Sequence, residues 1–73
     1  MDERILKIMR EILEDDSIDA SCNKQNCEKW DSLHQLNLVA ELEEEFNIEF
    51  EPEEIIEMKS FNKIKELIEK IMR

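Results

Sequence analysis

Hydrophobic residues near the start of the chain recur at helical spacing. Ile5, Ile8 and Ile12 follow one another at intervals of three or four residues, with polar and charged residues between them. This spacing places the apolar side chains on one side of a helix and the polar ones on the other. It predicts a helix over residues 2–14 that packs one face against a core.

A second stripe predicts a helix from Ser32 to about Phe46. At about 100° per residue, four apolar side chains gather on one side: Leu36, Val39, Leu42 and Phe46. The opposite side is polar: His34, Asn37, Glu41, Glu44 and Glu45. Leu33 and Ala40 fall on the border. Glu43 falls on the apolar side, where the pattern offers it no partner.

The last third of the chain predicts a short helix followed by a longer one. Pro52 suits the first position of a helix and predicts a short one over about 52–58, presenting Ile55, Ile56 and Met58. Ser60 is a candidate cap for the last helix, because a serine hydroxyl satisfies free N–H groups at a helix start. Apolar residues of that helix keep helical spacing: Phe61, Ile64, Leu67, Ile68 and Ile71.

Between the first two long helices lies a polar stretch, "EDDSIDASCNKQNCEKW". A loop of this length is unusual in so small a domain, and Ile18 is the residue expected to anchor it to the core. The sequence has no glycine and one proline, so tight hairpins lack their usual residues. We predict an all-α fold: one domain over residues 1–73, a small four-helix bundle with three longer helices, a short third helix and a long first loop.

Charge narrows the classes of partner. Ten basic and twenty acidic residues give a net charge of −10. Such a chain repels nucleic-acid phosphates and anionic membrane surfaces, so a basic protein is the natural partner, although acidic runs also serve solubility alone. No apolar run is long enough for a membrane span or a signal core. We therefore expect no nucleic-acid binding, no membrane insertion and a cytoplasmic location.

Metal and catalytic chemistry find little support. Cys22 and Cys27 form "CNKQNC", and only His34 follows them, which is too few ligands for a structural zinc site. In a cytoplasmic protein the two thiols should stay reduced. The calcium-like run from Asp15 lacks the glycine and the bidentate glutamate of a calcium loop. We expect no metal and no catalysis, because so small a bundle offers little room for a water-excluding pocket.

Ser32 has two interpretations. With Gln35 three residues later it fits a capping box, in which the serine hydroxyl accepts the Gln35 amide and the Gln35 side chain reaches back. Asp31 before it places negative charge at the positive end of the helix dipole. An exposed serine at a helix start is equally a place where a group can be attached.

The residues around Ser32 form part of a longer motif. Asp31, Ser32 and Leu33 open the second helix, and a Leu/Val stripe and an acidic run ending in phenylalanine follow: Leu36, Leu38, Val39, Leu42 and Glu43–Phe46. A short helix after a proline, "PEEIIEM", and an amphipathic last helix, "FNKIKELIEKI", complete the order. In these features, over nearly the whole chain, the sequence resembles the acyl carrier protein family.

The resemblance implies that Ser32 carries a phosphopantetheine arm, with Asp31 and Leu33 beside it in the attachment motif. In that family a phosphopantetheinyl transferase donates the arm from coenzyme A, and the thiol of the arm holds acyl groups as thioesters. The chain would then be a non-catalytic monomer. Its other implied partners are acyl-loading, acyl-transfer or synthase enzymes with basic docking patches, as in fatty acid and lipid metabolism.

Two further sets of residues follow from this reading. One edge of the second helix, the docking edge, joins a small apolar strip to carboxylates: Leu33, Asn37, Ala40, Glu41 and Glu44. A space between the helices is expected to shelter the acyl chain, lined by apolar side chains: Leu36, Val39, Phe46, Ile55 and Ile64.

Other readings stay open. Trp30, His34, Asn37 and Ala40 depart from the residues usual in the family, which favours a carrier in a specialised pathway. An aminoacyl or peptidyl carrier would share the same motif. An unmodified acidic protein-interaction module, with Ser32 acting only as a cap, is the alternative from a different class.

Overall fold

The computed structural model describes residues 2–73 and contains four helices in the predicted order. They are α1 (Asp2–Ile12), α2 (Ser32–Phe46), α3 (Pro52–Glu57) and α4 (Phe61–Met72). Within residues 2–73 the only β pairing is one isolated antiparallel bridge, so the all-α prediction is confirmed. Helix α1 packs against both α2 and α4. None of the helices in this part of the chain is both long enough and apolar enough to cross a membrane.

The helices enclose an apolar core. Its largest fully buried side chains come from α1, α2 and α4 and from the residues that directly follow α1 and α3: Ile5, Met9, Leu13, Leu38, Leu42, Met58, Phe61, Ile64 and Ile68. In α1 and α4 the buried face is the one that the sequence pattern predicts. Ser60 caps α4 as expected, since its hydroxyl accepts a hydrogen bond from the Lys63 N–H at 3.1 Å.

Two helices are shorter than predicted. Helix α1 ends at Ile12, because Glu14 takes a left-handed backbone conformation, with φ of 54°. The Asp15 N–H then donates to the Arg10 carbonyl at 3.1 Å, which closes the last turn in the manner of a helix C-terminus. Helix α3 ends at Glu57, one residue before the predicted end.

The buried face of α2 differs from the predicted one. Leu36 was expected to face the core, but its side chain is 64% exposed, whereas Leu38 is fully buried. The observed buried face is Gln35, Leu38, Val39, Leu42 and Phe46. A polar residue, Gln35, takes the inward position nearest the start of the helix, and hydropathy alone assigns that position to a leucine. In α3, Ile56 is likewise exposed, at 71%.

Glu43, which the sequence pattern left without a partner, has a structural role. Its Oε2 accepts a hydrogen bond from the Phe50 backbone N–H at 2.9 Å. The carboxylate therefore satisfies a main-chain donor in the connection that follows α2, where Asn47 ends the helix with φ of 55°. A half-buried glutamate on the inner side of α2 is explained by this bond.

The long loop from residue 14 to 31 is packed against the bundle. Ile18 is buried as predicted, and its carbonyl accepts a hydrogen bond from Arg10 Nε at 2.9 Å. Three further loop residues join the core: Cys22, Cys27 and Trp30. The loop therefore has four apolar anchors where the sequence analysis expected one.

The middle of the loop is also bonded to the segment that precedes α4. The Lys24 N–H donates to the Lys59 carbonyl at 2.9 Å, and the Phe61 N–H donates to the Cys22 carbonyl at 3.0 Å. We call this pairing of residues 22–24 with residues 59–61 the loop tie. It fixes the loop next to the start of α2 and the end of α3.

Candidate functional site

The start of α2 is capped by Asp31. Its Oδ1 accepts a hydrogen bond from the His34 N–H at 2.9 Å, and the His34 ring Nδ1 lies 2.8 Å from the same oxygen. Asp31 has the extended backbone of a cap residue, and Ser32 is the first residue of the helix. The prediction that Ser32 is the cap is therefore wrong by one residue. Aspartate and serine are comparable caps, and the sequence offered both in succession.

The predicted capping box is also wrong. The Gln35 N–H donates to the Asp31 carbonyl at 2.9 Å, in an ordinary helical bond, and the Gln35 side chain turns inward instead of reaching back. Its Oε1 accepts from Trp30 Nε1–H at 3.1 Å, and its Nε2 donates to the Ile55 carbonyl at 2.6 Å. The side chain that the motif assigned to capping connects the loop to α3.

The cap sets the charge beside Ser32. The backbone N–H and the ring of His34 bond to the Asp31 carboxylate and hold its pKa below its usual range. Asp31 is therefore ionised at neutral pH and compensates part of the positive end of the α2 dipole. A negatively charged group attached to Ser32 would share the positive end of α2 with the Asp31 carboxylate. A cation nearby would offset the repulsion between these two negative charges.

Ser32 is exposed, and its hydroxyl is not needed as the cap. It lines an open groove of about 380 Å³ between α2 and α3, which we call the Ser32 groove. The groove is lined by Lys24, Ser32, Gln35, Leu36, Ile55 and Ile56. Exposed apolar side chains beside an accessible hydroxyl, with one lysine at the same groove, suit an attached group that has both an anionic and an apolar part.

The expected cargo space is only partly assembled. Leu36 and Ile55 line the Ser32 groove, but Val39, Phe46 and Ile64 are core residues with at most 7% of their surface exposed. The residues predicted to line the cargo space are therefore divided between the outer Ser32 groove and the packed core.

The docking edge lies on the solvent side of α2. All five of its residues are exposed: Leu33, Asn37, Ala40, Glu41 and Glu44. Leu33, the residue after Ser32, has 66% of its surface exposed. Whether partners bind there stays a prediction.

The two cysteines are free and buried in the loop. Burial, followed by the neighbouring Cys27 thiol, raises the pKa of Cys22 to about 12. It is therefore a poorer nucleophile than an ordinary thiol at neutral pH. Within the described residues, no three potential ligands come together to hold a metal ion.

Comparison with known proteins decides the family. The family model described as a phosphopantetheine attachment site matches residues 3–69, which is nearly the whole chain. The chain belongs to the phosphopantetheine carrier family. Neither the curated proteins nor the solved structures contain a significant match to this sequence. As a carrier domain of the acyl carrier protein type, the chain bears a covalently attached phosphopantetheine group.

The residues of this carrier fit the phosphopantetheine group. The arm consists of a phosphodiester, an apolar dimethyl segment and amides, and its terminal thiol carries cargo as a thioester. Ser32 offers an accessible hydroxyl, and the groove beside it offers apolar surface at Leu36 and Ile56 for the segment that follows the phosphate. Lys24 lines the same groove and would supply a cation for the phosphodiester next to the ionised Asp31.

Two residues of this site were missed by sequence reasoning. Lys24 lies in the long loop, and the loop tie that brings it to Ser32 has no signature in the sequence. Gln35 was recognised but assigned to capping. Its indole partner, Trp30, was noted only as unusual for its position, and nothing in the sequence indicates that the two side chains meet.

Proposed function

We propose that this carrier is an acyl carrier protein with its arm on Ser32. The observation that supports the proposal is the Ser32 groove, in which exposed Leu36 and Ile56 and half-buried Ile55 lie beside Ser32. Covering apolar surface with an apolar chain is favourable by about 25 cal/mol per Å². An acyl group gains contact there, whereas a charged aminoacyl group would have to lose hydration.

The test begins with arm attachment. A phosphopantetheinyl transferase with coenzyme A should add one arm to the wild-type chain, and intact mass should show no addition to Ser32→Ala. Because Asp31 provides the cap, Ser32→Ala should change the free energy of unfolding by less than about 0.5 kcal/mol. A well-folded Ser32→Ala that still gains the arm would reject Ser32 as the site.

A second measurement separates acyl from aminoacyl cargo. Amide NMR spectra of the arm-bearing carrier are compared with spectra after loading with a butyryl group and with a glycyl group. The butyryl group should shift the resonances of Leu36 and Ile56 relative to the unloaded carrier, and the glycyl group should leave them in place. Equal spectra in all three states would favour the aminoacyl or peptidyl alternative.

Partner enzymes are proposed to bind the docking edge. Its exposed apolar residues, Leu33 and Ala40, lie beside the carboxylates of Glu41 and Glu44, and Ser32 is at the head of the same helix. A partner with lysine or arginine around a shallow apolar patch complements this surface. Because Ser32 and the docking edge are on the same helix, a partner bound to that edge would lie next to the attached arm.

The pathway is proposed to be a specialised one, in the cytoplasm, with the chain acting as a non-catalytic monomer. Trp30 supports this view, because the residue at this position is usually smaller in the family, and here Trp30 is buried two residues before Ser32 and bonded to Gln35. Asn37 and Ala40 reduce the charge and size of the docking edge, which suits a partner set different from that of general fatty acid synthesis.

A further inference from the structure

Gln35 is a buried amide with both ends engaged. Only 7% of its surface is exposed, and it bonds to Trp30 Nε1–H through Oε1 and to the Ile55 carbonyl through Nε2. The orientation of the amide follows from its partners, because an indole N–H can only donate and a carbonyl can only accept. The side chain of Gln35 therefore bridges the loop, α2 and α3. We call this arrangement the Gln35 bridge.

The bridge lies between the Ser32 groove and the core. Gln35 and Ile55 both line the groove, so the 2.6 Å bond between them joins its two walls. Trp30, the other partner of Gln35, is 3% exposed and belongs to the core. A chain that passed from the groove into the interior would have to separate Gln35 from Ile55. That step leaves buried polar groups without partners, which is unfavourable.

We propose that the Gln35 bridge keeps the cargo of the arm in the Ser32 groove, outside the core, and that Gln35 determines this specificity. The proposal rests on the acyl carrier function above. The groove offers apolar contact to a short acyl chain through Leu36, Ile55 and Ile56. A longer chain gains no further burial, because the bridge bars it from the interior, and its distal part extends into solvent.

Trp30 makes this testable, because it is the only tryptophan in the chain and takes part in the bridge. The arm-bearing protein is loaded with straight-chain acyl groups from acetyl to dodecanoyl, and intact mass confirms each product. Tryptophan emission, its quenching by acrylamide and the melting temperature are recorded across the series. In the wild type, emission and quenching should stay constant, and the melting temperature should rise for the shortest chains and then level off.

Two variants assign the effect. Gln35→Leu replaces the amide by an apolar group of similar size, so emission and melting temperature should then change progressively with chain length. Leu36→Ala removes apolar surface from the groove and keeps the bridge, so it should diminish the early rise in melting temperature without altering Trp30 emission. If Gln35→Leu does not fold, the wild-type series and Leu36→Ala still decide between groove and interior.

Each outcome is informative. A wild-type melting temperature that keeps rising to dodecanoyl, with shifting Trp30 emission, places the chain inside and overturns the cargo proposal alone. A folded Gln35→Leu that behaves like the wild type shows that Gln35 does not determine the location. Failure of Ser32 to accept any arm overturns the proposed function with the arm on Ser32, and the cargo proposal with it.

Discussion

Reversal of one charge on the docking edge tests how partners find this carrier. Glu44 is exposed on α2, and within residues 2–73 it forms no ion pair. Its neighbour Glu45 is different, because it pairs with Arg4 at 2.9 Å and is tied to α1. Glu44→Lys therefore changes the field that a basic partner meets without breaking an internal contact. We expect slower arm loading by the transferase.

The magnitude follows from Coulomb's law with screening. Two unit charges about 6 Å apart in water interact by about 0.7 kcal/mol, so reversing one of them changes the energy by about 1.4 kcal/mol. A Debye length of about 10 Å at 0.1 M salt leaves roughly half of this, which corresponds to about a three- to four-fold lower kcat/KM. At 1 M salt the Debye length falls to about 3 Å, and the difference shrinks to about 1.4-fold.

The matched control is Glu69→Lys. Glu69 is exposed near the C-terminal end of α4, as Glu44 is near that of α2, so both substitutions change net charge and helix dipole interactions in the same way. Loading of both variants and of the wild type is followed by intact mass at low and high salt. Equal slowing of Glu44→Lys and Glu69→Lys would mean that only net charge matters and would refute the docking edge.

Three other predictions concern the surroundings of the site. Glu43→Ala should lower the free energy of unfolding, measured in urea, by about 1 kcal/mol, because the Glu43 carboxylate accepts a hydrogen bond from the Phe50 backbone N–H. The control Glu44→Ala, at an exposed position, should have little effect. Equal losses of stability in the two variants would contradict this role of Glu43. Cys22, with its pKa raised to about 12, should react with iodoacetamide at neutral pH far more slowly in the folded protein than in urea, and equal rates would show that the thiol is accessible. Lys24→Gln should reduce the change in melting temperature that accompanies arm attachment, and Lys59→Gln, an equal charge change, should not. Equal effects of the two lysine variants would exclude a phosphate contact by Lys24.

The fold was largely predictable because two of the helices, α1 and α4, carry strong periodic patterns. The stripes of α1 and α4 needed no tertiary information, and α3 was marked by Pro52. The orientation of α2 was less predictable. Its inward position near the start is filled by Gln35, and a polar side chain becomes a core residue only when partners such as an indole N–H and a carbonyl are supplied from elsewhere.

The site was predictable in part. Ser32 as the attachment residue is predicted from the motif and stays a prediction, whereas the family match over residues 3–69 shows a phosphopantetheine carrier. The cap could not be assigned, because Asp31 and Ser32 compete for adjacent positions and the choice depends on the backbone angles at the helix start. The position of Lys24 beside Ser32 could not be predicted from the sequence. It is fixed by hydrogen bonds between main-chain groups, which do not depend on side-chain identity.

The loop tie has a consequence for the order in which the molecule assembles. Helices form from neighbours in sequence, whereas the tie joins residues 22–24 to 59–61 and requires closure of a long loop. We therefore expect the side of the Ser32 groove that Lys24 lines to form late in folding. The same side should open first when the native state begins to unfold. In hydrogen exchange, the amides of Lys24 and Phe61 should lose protection while the three longer helices still retain theirs. A chain in this condition would show the helical signal of the native carrier but present Ser32 on an incomplete surface.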